Sequence, residues 1–148
     1  MNCENIFSQL YHRDPVEVAF CPYRVCPIGA HVDHQYGLIT GLAIDKGVHF
    51  AYGPKKNGVV ELSSLQFDRR AQWHIRQVDE KPTGDWADYL RGATWALAKY
   101  YDLHTGICGV IEGTSLISLR KTSNVMEPWS VYFTALLIRL SIICLIRV

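Results

Sequence analysis

Residues 22–37 of this chain are PYRVCPIGAHVDHQYG, and they decide how the rest of the sequence is interpreted. Four polar side chains suited to binding lie within eleven positions of this stretch, 24–34: Arg24, His31, Asp33 and His34. Glycine lies just before and just after the last three, at 29 and 37, where the lack of a side chain lets the backbone approach a ligand closely. We call residues 22–37 the motif segment and treat it as the candidate functional site.

The residue types in the motif segment favour binding of hydroxyl and phosphoryl groups. His31 and Asp33 are two positions apart, and extended backbone projects side chains at that spacing to the same side. Such a pair can hold neighbouring hydroxyls, with the carboxylate accepting and the imidazole donating or accepting hydrogen bonds. The Arg24 guanidinium is suited to stabilising negative charge on a phosphoryl group or on an attacking oxygen.

Three other interpretations of the segment stay open on residue types alone. It could be a polar loop whose side chains cap its own backbone. It could be a metal site, because His-x-Asp-His is rich in ligands. However, a His-x-His-x-Asp-His metallohydrolase set would need histidine at position 29, which is glycine, and we expect no metal. The third interpretation is acid–base hydrolysis by Asp33 and His31. The sequence has no G-x-S-x-G nucleophile motif that would support it.

Composition narrows the class of protein. The 148 residues are 49% hydrophobic and 20% charged, which is typical of one globular domain with a real core. The net charge of +1 comes from scattered side chains, so we expect no nucleic-acid partner. Five cysteines without a CxxC pair favour reduced thiols. The first residues lack the features of a signal peptide. We expect a cytoplasmic protein.

Periodicity predicts the secondary structure around the motif segment. Apolar spacing favours helices at 4–11 and 85–101, the second capped by Asp85. Its apolar face is expected in the core: Trp86, Tyr89, Leu90, Ala93, Leu97, Tyr100 and Tyr101. Extended segments are expected at 16–20, 23–28, 47–52, 59–62, 70–78 and 106–112. Asn57-Gly58 predicts a hairpin in which 59–62 pairs with the preceding strand. The strand-rich first half followed by a helix indicates an α+β fold.

The motif segment resembles the signature of the galactokinase family, G-R-V-N-[LI]-I-G-E-H-T-D-Y-N-G-G, with no gap from Arg24 through Gly37. Similarity is clear over residues 16–46 and weaker to about 113, including WADY at 86–89. The resemblance implies an N-terminal piece of a GHMP kinase domain, which has the ribosomal S5 domain 2-like fold. It also implies ATP-dependent phosphorylation of the anomeric hydroxyl of a monosaccharide, with Mg²⁺.

The resemblance implies roles for individual residues. Arg24 takes the place of the family's arginine near the transferred phosphate, which makes it the catalytic candidate. His31 and Asp33 take the places of residues that hydrogen-bond ring hydroxyls. His34 stands where the family has tyrosine, and Cys26 where it has asparagine. The residues that would bind ATP are not identified.

Ala30 is the most informative departure from the signature. It stands where galactokinases carry a glutamate that meets the hydroxyl on carbon 6 of the sugar. If that carbon were a carboxylate, a glutamate would repel it at a cost of roughly several kcal/mol in a partly buried site. The form G-A-H-[IV]-D-H-Q also resembles galacturonokinases. We therefore expect galacturonate as the substrate and galactose as the next candidate.

The resemblance stops near residue 114. A phosphate-binding G-L-S-S-S-type loop is expected directly after Gly113, but the chain continues TSLISLRKTS, and no glycine follows. The family's catalytic aspartate has no counterpart. We divide the chain into a galactokinase-like sugar-binding region, 1–114, and a divergent tail, 115–148. We interpret the tail as a truncation or frameshift product and expect no phosphate transfer by this chain alone.

Residues 129–148 are strongly apolar and approach the length of a membrane-spanning helix. Arg139 in the middle of this stretch would be costly in a bilayer, so we expect no membrane insertion. A helix buried against the sheet and an exposed tail both stay open. Two other functions stay open as well: a non-catalytic sugar-binding relative of the kinases, and a membrane-tethered or partner-stabilised fragment.

Overall fold

The structure, a computed structural model, describes residues 2–25, 27, 28, 35–38, 40–67, 70–78 and 81–113. Within these residues the chain forms two helices and five strands. They are α1 (Asn2–Tyr11), β1 (Glu17–Val25), β2 (Leu42–Lys55), β3 (Val59–Ser64), β4 (Ala71–His74), α2 (Asp88–Tyr100) and β5 (Gly106–Gly113). The predicted α+β class is confirmed.

The strands form one mixed sheet in the order β1-β2-β5-β3-β4. β3 and β5 are parallel, and the other neighbouring pairs are antiparallel. Because β1 and β5 are both antiparallel to β2, the carboxyl ends of β1, β5 and β3 lie at the same end of the sheet. We call this the motif end, since the motif segment continues from β1 there.

β1 joins two segments that the sequence predicts separately, 16–20 and 23–28. The strand continues through Pro22, and its ladder with β2 is irregular between Pro22 and Arg24. β1 is an edge strand, so a proline that cannot donate a hydrogen bond is tolerated there. The predicted strand at 70–78 is shorter than expected, since β4 ends at His74.

The predicted hairpin between β2 and 59–62 is wrong. A single 3₁₀ turn, Lys56–Gly58, follows β2, and Asn57 and Gly58 have φ of 77° and 61°. The strands on either side of this turn do not pair, because β5 lies between them. Gly106 makes this insertion possible: a Cβ there would lie 1.9 Å from the carbonyl oxygen of Val59.

One face of the sheet is covered by α1. Phe7 and Cys3 are fully buried against Ala51, Cys108 and Val110 of the two central strands. This contact confirms the helix predicted at 4–11. The Glu112 carboxylate of β5 accepts hydrogen bonds from the first backbone N–H groups of α1, which ties the helix to the motif end.

The opposite face forms the larger core, which includes Phe50 and Tyr52 of β2 and Leu90 of α2. Ala93, Leu97 and Trp86 pack against it as predicted. Tyr100 and Tyr101 do not, since they are 76% and 52% exposed. The apolar pattern gives the side of the helix that faces the core but not how far the sheet extends beneath it. The Tyr89 side chain lies outside the described residues.

The first turn of α2 differs from the predicted Asp85 cap. The helix begins at Asp88, and the Asp85 carboxylate accepts the Ala87 N–H at 2.7 Å just before it. Asp88 accepts hydrogen bonds from the backbone N–H groups of Thr83, Gly84 and Asp85. Both carboxylates therefore bind backbone N–H groups that precede the helix, which has no side-chain cap, and both suit its positive end.

The tail predicted to diverge, 115–148, lies outside the described residues, so the proposed division of the chain stays a prediction. Neither of the two helices described is long and apolar enough to cross a membrane.

Candidate functional site

The motif segment, residues 22–37, begins in the last part of β1 and continues toward β2. Arg24 is in β1, opposite Ala43 of β2, and the regular ladder ends one residue later at Val25 and Leu42. The backbone thus places Arg24 at the base of the connection, at the motif end of the sheet. The structure describes the backbone of Arg24 but not its side chain.

A threonine hydroxyl holds the two ends of the connection together beyond the ladder. Thr40 Oγ1 accepts a hydrogen bond from the Ile28 N–H at 3.1 Å and donates one to the Ile28 carbonyl oxygen at 3.3 Å. The Thr40 N–H donates to the same carbonyl at 3.0 Å. We call these three bonds the Thr40 clamp, and the residues between Ile28 and Thr40, 29–39, the motif loop.

The remaining predicted site residues, Ala30, His31, Asp33 and His34, belong to the motif loop and lie outside the described residues. Cys26, just before the clamp, also lies outside them. Their assigned roles therefore stay predictions. The structure does locate the ends of the loop that carries them.

The end of β5 lies close to this base. Gly113, the last residue of β5, is opposite Val48 in β2, so residues 42–47 of β2 extend past β5 together with β1. A Cβ at Gly113 would lie 3.1 Å from the Tyr23 hydroxyl, next to Arg24 in sequence. The residue after which a phosphate loop is expected therefore lies close to the Tyr23 side chain of β1, although β2 separates the two strands in the sheet.

The start of α2 lies at the same end of the molecule. The ring of Phe67, shortly after β3, is parallel to the ring of Trp86 at 5.7 Å between centroids. Leu65 and Gln66 in turn hydrogen-bond to Ile111 and Gly113 of β5. Three parts of the chain that resemble kinase sequence thus converge: the base of the motif segment, the end of β5 and the lead-in to α2.

Burial changes the titration of two side chains beside the motif. It raises the pKa of the Tyr23 phenol and that of the Cys21 thiol above their ordinary values. Both groups are therefore neutral at pH 7. Neither serves as a charged ligand or an activated nucleophile at the base of the site.

Sequence reasoning missed two residues of the motif region. Thr40 forms the clamp. In the sequence, the one feature that could have indicated this role is a hydroxyl side chain next to Gly41, near the end of the loop. Tyr36 has a φ of 59° and is fully exposed, in a backbone conformation that favours glycine. The galactokinase signature has glycine at that position, so the departure from it was the available signal.

A cleft among the described residues lies elsewhere. It has a volume of about 430 Å³ and lies beside the carboxyl-terminal part of α2, between Trp95, Arg76 and Leu103. Among the residues of the motif segment that the structure describes, none lines it. The candidate site is instead assigned to the motif end, because the segment that carries the predicted site residues continues from β1 there.

Comparison with known proteins identifies relatives of this chain. No protein-family model matches the chain. A galacturonokinase from Arabidopsis thaliana is 29% identical over an alignment of 148 residues, covering 87% of this chain and 35% of the relative. A galactokinase from Chloroflexus aurantiacus is 29% identical over 91 residues, covering 62% of this chain and 23% of the relative. The predicted resemblance to galactokinase-type kinases is confirmed.

Solved structures confirm the fold. Lactococcus lactis galactokinase, in complex with galactose, matches 91% of this chain and 35% of its own with a TM-score of 0.70 at 21% identity. Methanococcus jannaschii mevalonate kinase matches 69% of this chain and 33% of its own with a TM-score of 0.53 at 18% identity. The fold is thus that of a part of the GHMP kinases. The chain spans about a third or less of the length of these relatives.

Proposed function

We propose that this protein is the sugar-binding part of an ATP-dependent sugar 1-kinase whose acceptor is galacturonate. The observation that carries the proposal is the placement of the motif segment. Its base lies on β1 and β2 at the motif end, next to the end of β5 and the start of α2. A sugar held by the motif loop would then lie beside the region in which a kinase binds phosphate.

In this proposal each motif residue has one task. Asp33 and His31 hydrogen-bond the ring hydroxyls. The carboxylate can accept hydrogen bonds from two hydroxyl groups, and the imidazole can donate or accept one. Arg24 stabilises the charge that develops during phosphoryl transfer. His34 adds a further polar contact to the sugar. ATP and Mg²⁺ would supply the phosphoryl group and neutralise its charge.

Ala30 supports galacturonate over galactose. A glutamate at this position would face the sugar's carboxylate, and two like charges in a partly desolvated site repel each other. Alanine removes that charge and leaves room for a carboxylate and its water. The relative from Arabidopsis thaliana is named a galacturonokinase, which agrees with this choice of substrate.

A binding titration tests the proposal. The purified chain is titrated with D-galacturonate and with D-galactose by calorimetry, and we expect galacturonate to bind more tightly. Asp33→Ala should weaken galacturonate binding about tenfold or more, since a hydrogen bond to a charged group contributes roughly 1.5–3 kcal/mol. With ATP and Mg²⁺ added, we expect no release of ADP, because residues 114–148 contain no glycine to form the phosphate loop.

Asp102→Ala is the matched control. Asp102 is an exposed carboxylate just before β5, at the end of the sheet opposite the motif end. Its loss removes the same charge and should leave sugar binding unchanged. Tighter binding of galactose would contradict the choice of substrate. No binding of either sugar by a chain that unfolds cooperatively would overturn the proposed function, and release of ADP would overturn the claim of inactivity.

A further inference from the structure

The Thr40 clamp stands apart from the β1–β2 ladder. The ladder ends at Val25 and Leu42, and Ile28 and Thr40 meet further along the connection. The Thr40 hydroxyl uses both its donor and its acceptor capacity on the backbone of Ile28. The side chain therefore joins two backbone positions that strand pairing does not hold.

The clamp is exposed, and this limits its effect on global stability. Both Ile28 and Thr40 are exposed to solvent, so water can replace either hydroxyl bond when the hydroxyl is lost. Without the hydroxyl, the pairing of β1 with β2 and the hydrogen bond from the Thr40 N–H to the Ile28 carbonyl still join the two ends of the loop. Loss of the hydroxyl should thus loosen the ends of the motif loop without unfolding the sheet.

The residues between the clamped positions are those assigned to the sugar. Positions 29–39 include Ala30, His31, Asp33 and His34. A loop whose ends are fixed has fewer conformations to lose when a ligand orders it. Binding to a preorganised loop is tighter because less of the interaction free energy is spent on ordering.

We infer that Thr40 is a positioning residue for sugar binding, whose hydroxyl joins the two ends, Ile28 and Thr40, of the loop to which the sugar contacts are assigned. This inference rests on the proposed function. Thr40 itself does not touch the sugar in this account. It acts through the backbone of Ile28 and thereby on the side chains that follow.

The test compares two substitutions at one position. Thr40→Val keeps the shape of the side chain but removes the hydroxyl, and Thr40→Ser keeps the hydroxyl. We expect Thr40→Val to raise the Kd for D-galacturonate about three- to tenfold, the range for one or two neutral hydrogen bonds. Thr40→Ser should bind within about twofold of wild type. Thermal midpoints of both variants should stay within about 3 °C of wild type.

Hydrogen exchange at the Ile28 amide provides a second readout. Thr40→Val should speed exchange at this amide, because the acceptor is lost, and Thr40→Ser should not. Thr105→Val serves as a control, since Thr105 is an exposed threonine before β5, at the far end of the sheet. It should change neither the Kd nor the exchange rate at Ile28.

Three results would overturn the inference while leaving the proposed function intact. In the first, Thr40→Val binds galacturonate as tightly as wild type. In the second, Thr40→Ser weakens binding as much as Thr40→Val. In the third, Thr40→Val weakens binding without faster exchange at Ile28, so the hydroxyl clamp is not the cause. If the wild-type chain itself binds neither sugar, the proposed function fails and the role assigned to Thr40 fails with it.

Discussion

The loop that leads into α2 and the base of the motif loop are held in different ways. The first, residues 83–88, is held by charge-assisted hydrogen bonds. The Asp88 carboxylate accepts three of them, from the backbone N–H groups of Thr83, Gly84 and Asp85. Arg91 then bonds both carboxylates, at 2.7 Å to Asp85 and 2.8 Å to Asp88. Its guanidinium also lies over the Trp73 ring. We call this the Arg91 network.

The contacts described at the base of the motif loop are of a different kind. Its base is closed by the neutral, exposed hydrogen bonds of the Thr40 clamp. Tyr36 and Leu38 are 100% and 95% exposed, so they contribute no buried apolar area. Charge-assisted bonds are roughly twice as strong as neutral ones. The comparison teaches that the loop into α2 is held by charge-assisted bonds, whereas the described bonds at the base of the motif loop are neutral and reached by solvent.

The largest expected effect is on the Arg91 network. Arg91→Met keeps most of the apolar stem but leaves Asp85 and Asp88 without their cation. The Arg91 side chain is 18% exposed, so we expect a loss of about 2–3 kcal/mol in the free energy of unfolding, below the roughly 3–5 kcal/mol of a fully buried pair. Urea denaturation followed by far-UV circular dichroism measures it.

Arg76→Met is the matched control for this prediction. Arg76 is 65% exposed and lies 3.9 Å from Asp102, which is 80% exposed. Exposed pairs of this kind contribute about 0–1 kcal/mol. Equal losses in the two variants would show that the loop into α2 is no more firmly held than the surface.

The second effect is the dependence of stability on pH. Burial raises the pKa of Asp88, but hydrogen bonds from Thr83, Gly84 and Arg91 outweigh it and lower the pKa from 3.8 to about 2. The stabilisation is thus complete above about pH 5 and is lost as the pH falls toward 2, amounting to about 2 kcal/mol. Asp88→Asn should flatten stability between pH 5 and 2.5, measured from urea midpoints. An unchanged slope would mean that other carboxylates govern acid unfolding.

The smallest effect is expected in the motif loop. Tyr36 has a φ of 59°, which costs a residue with a side chain roughly 1 kcal/mol relative to glycine. Tyr36→Gly removes that cost but gains freedom in the unfolded chain. The net expectation is a stabilisation of about 0.5 kcal/mol or less. Guanidinium denaturation with closely spaced points measures it.

Leu38→Gly gives the opposite expectation in the same loop. Leu38 is equally exposed but has no left-handed backbone conformation to relieve. Glycine there should destabilise the protein by roughly 0.5–1 kcal/mol, through the unfolded state alone. If both glycine variants change stability in the same direction, backbone strain at Tyr36 is not the cause.

Local pattern predicted the elements that depend on local physics. The apolar spacing around Phe7 predicted α1, and the β-branched run from Val16 predicted the start of β1. The motif segment was recognised from residue types and spacing, and the structure places its base at the end of the sheet where β5 ends. These predictions succeed because helix periodicity and strand propensity act over a few neighbouring residues.

The predictions that failed depend on distant parts of the chain. Asn57-Gly58 predicts a hairpin when only the neighbouring residues are considered, and both residues do adopt left-handed conformations. The two strands nevertheless do not pair, because β5, a strand about fifty residues later, lies between them. β5 fits there because Gly106 has no side chain that would clash with the backbone of Val59. Likewise Tyr100 follows the helical pattern but lies exposed near the helix end.

The sequence by itself determined the α+β class, the positions of both helices and the motif segment with its likeness to sugar kinases. Only the tertiary structure decided the strand order, the shared end of β1, β5 and α2, and the Thr40 clamp at the base of the motif loop. The physical reason is that residue type and spacing fix what a segment prefers. Which segments become neighbours depends on burial and backbone fit across the whole chain.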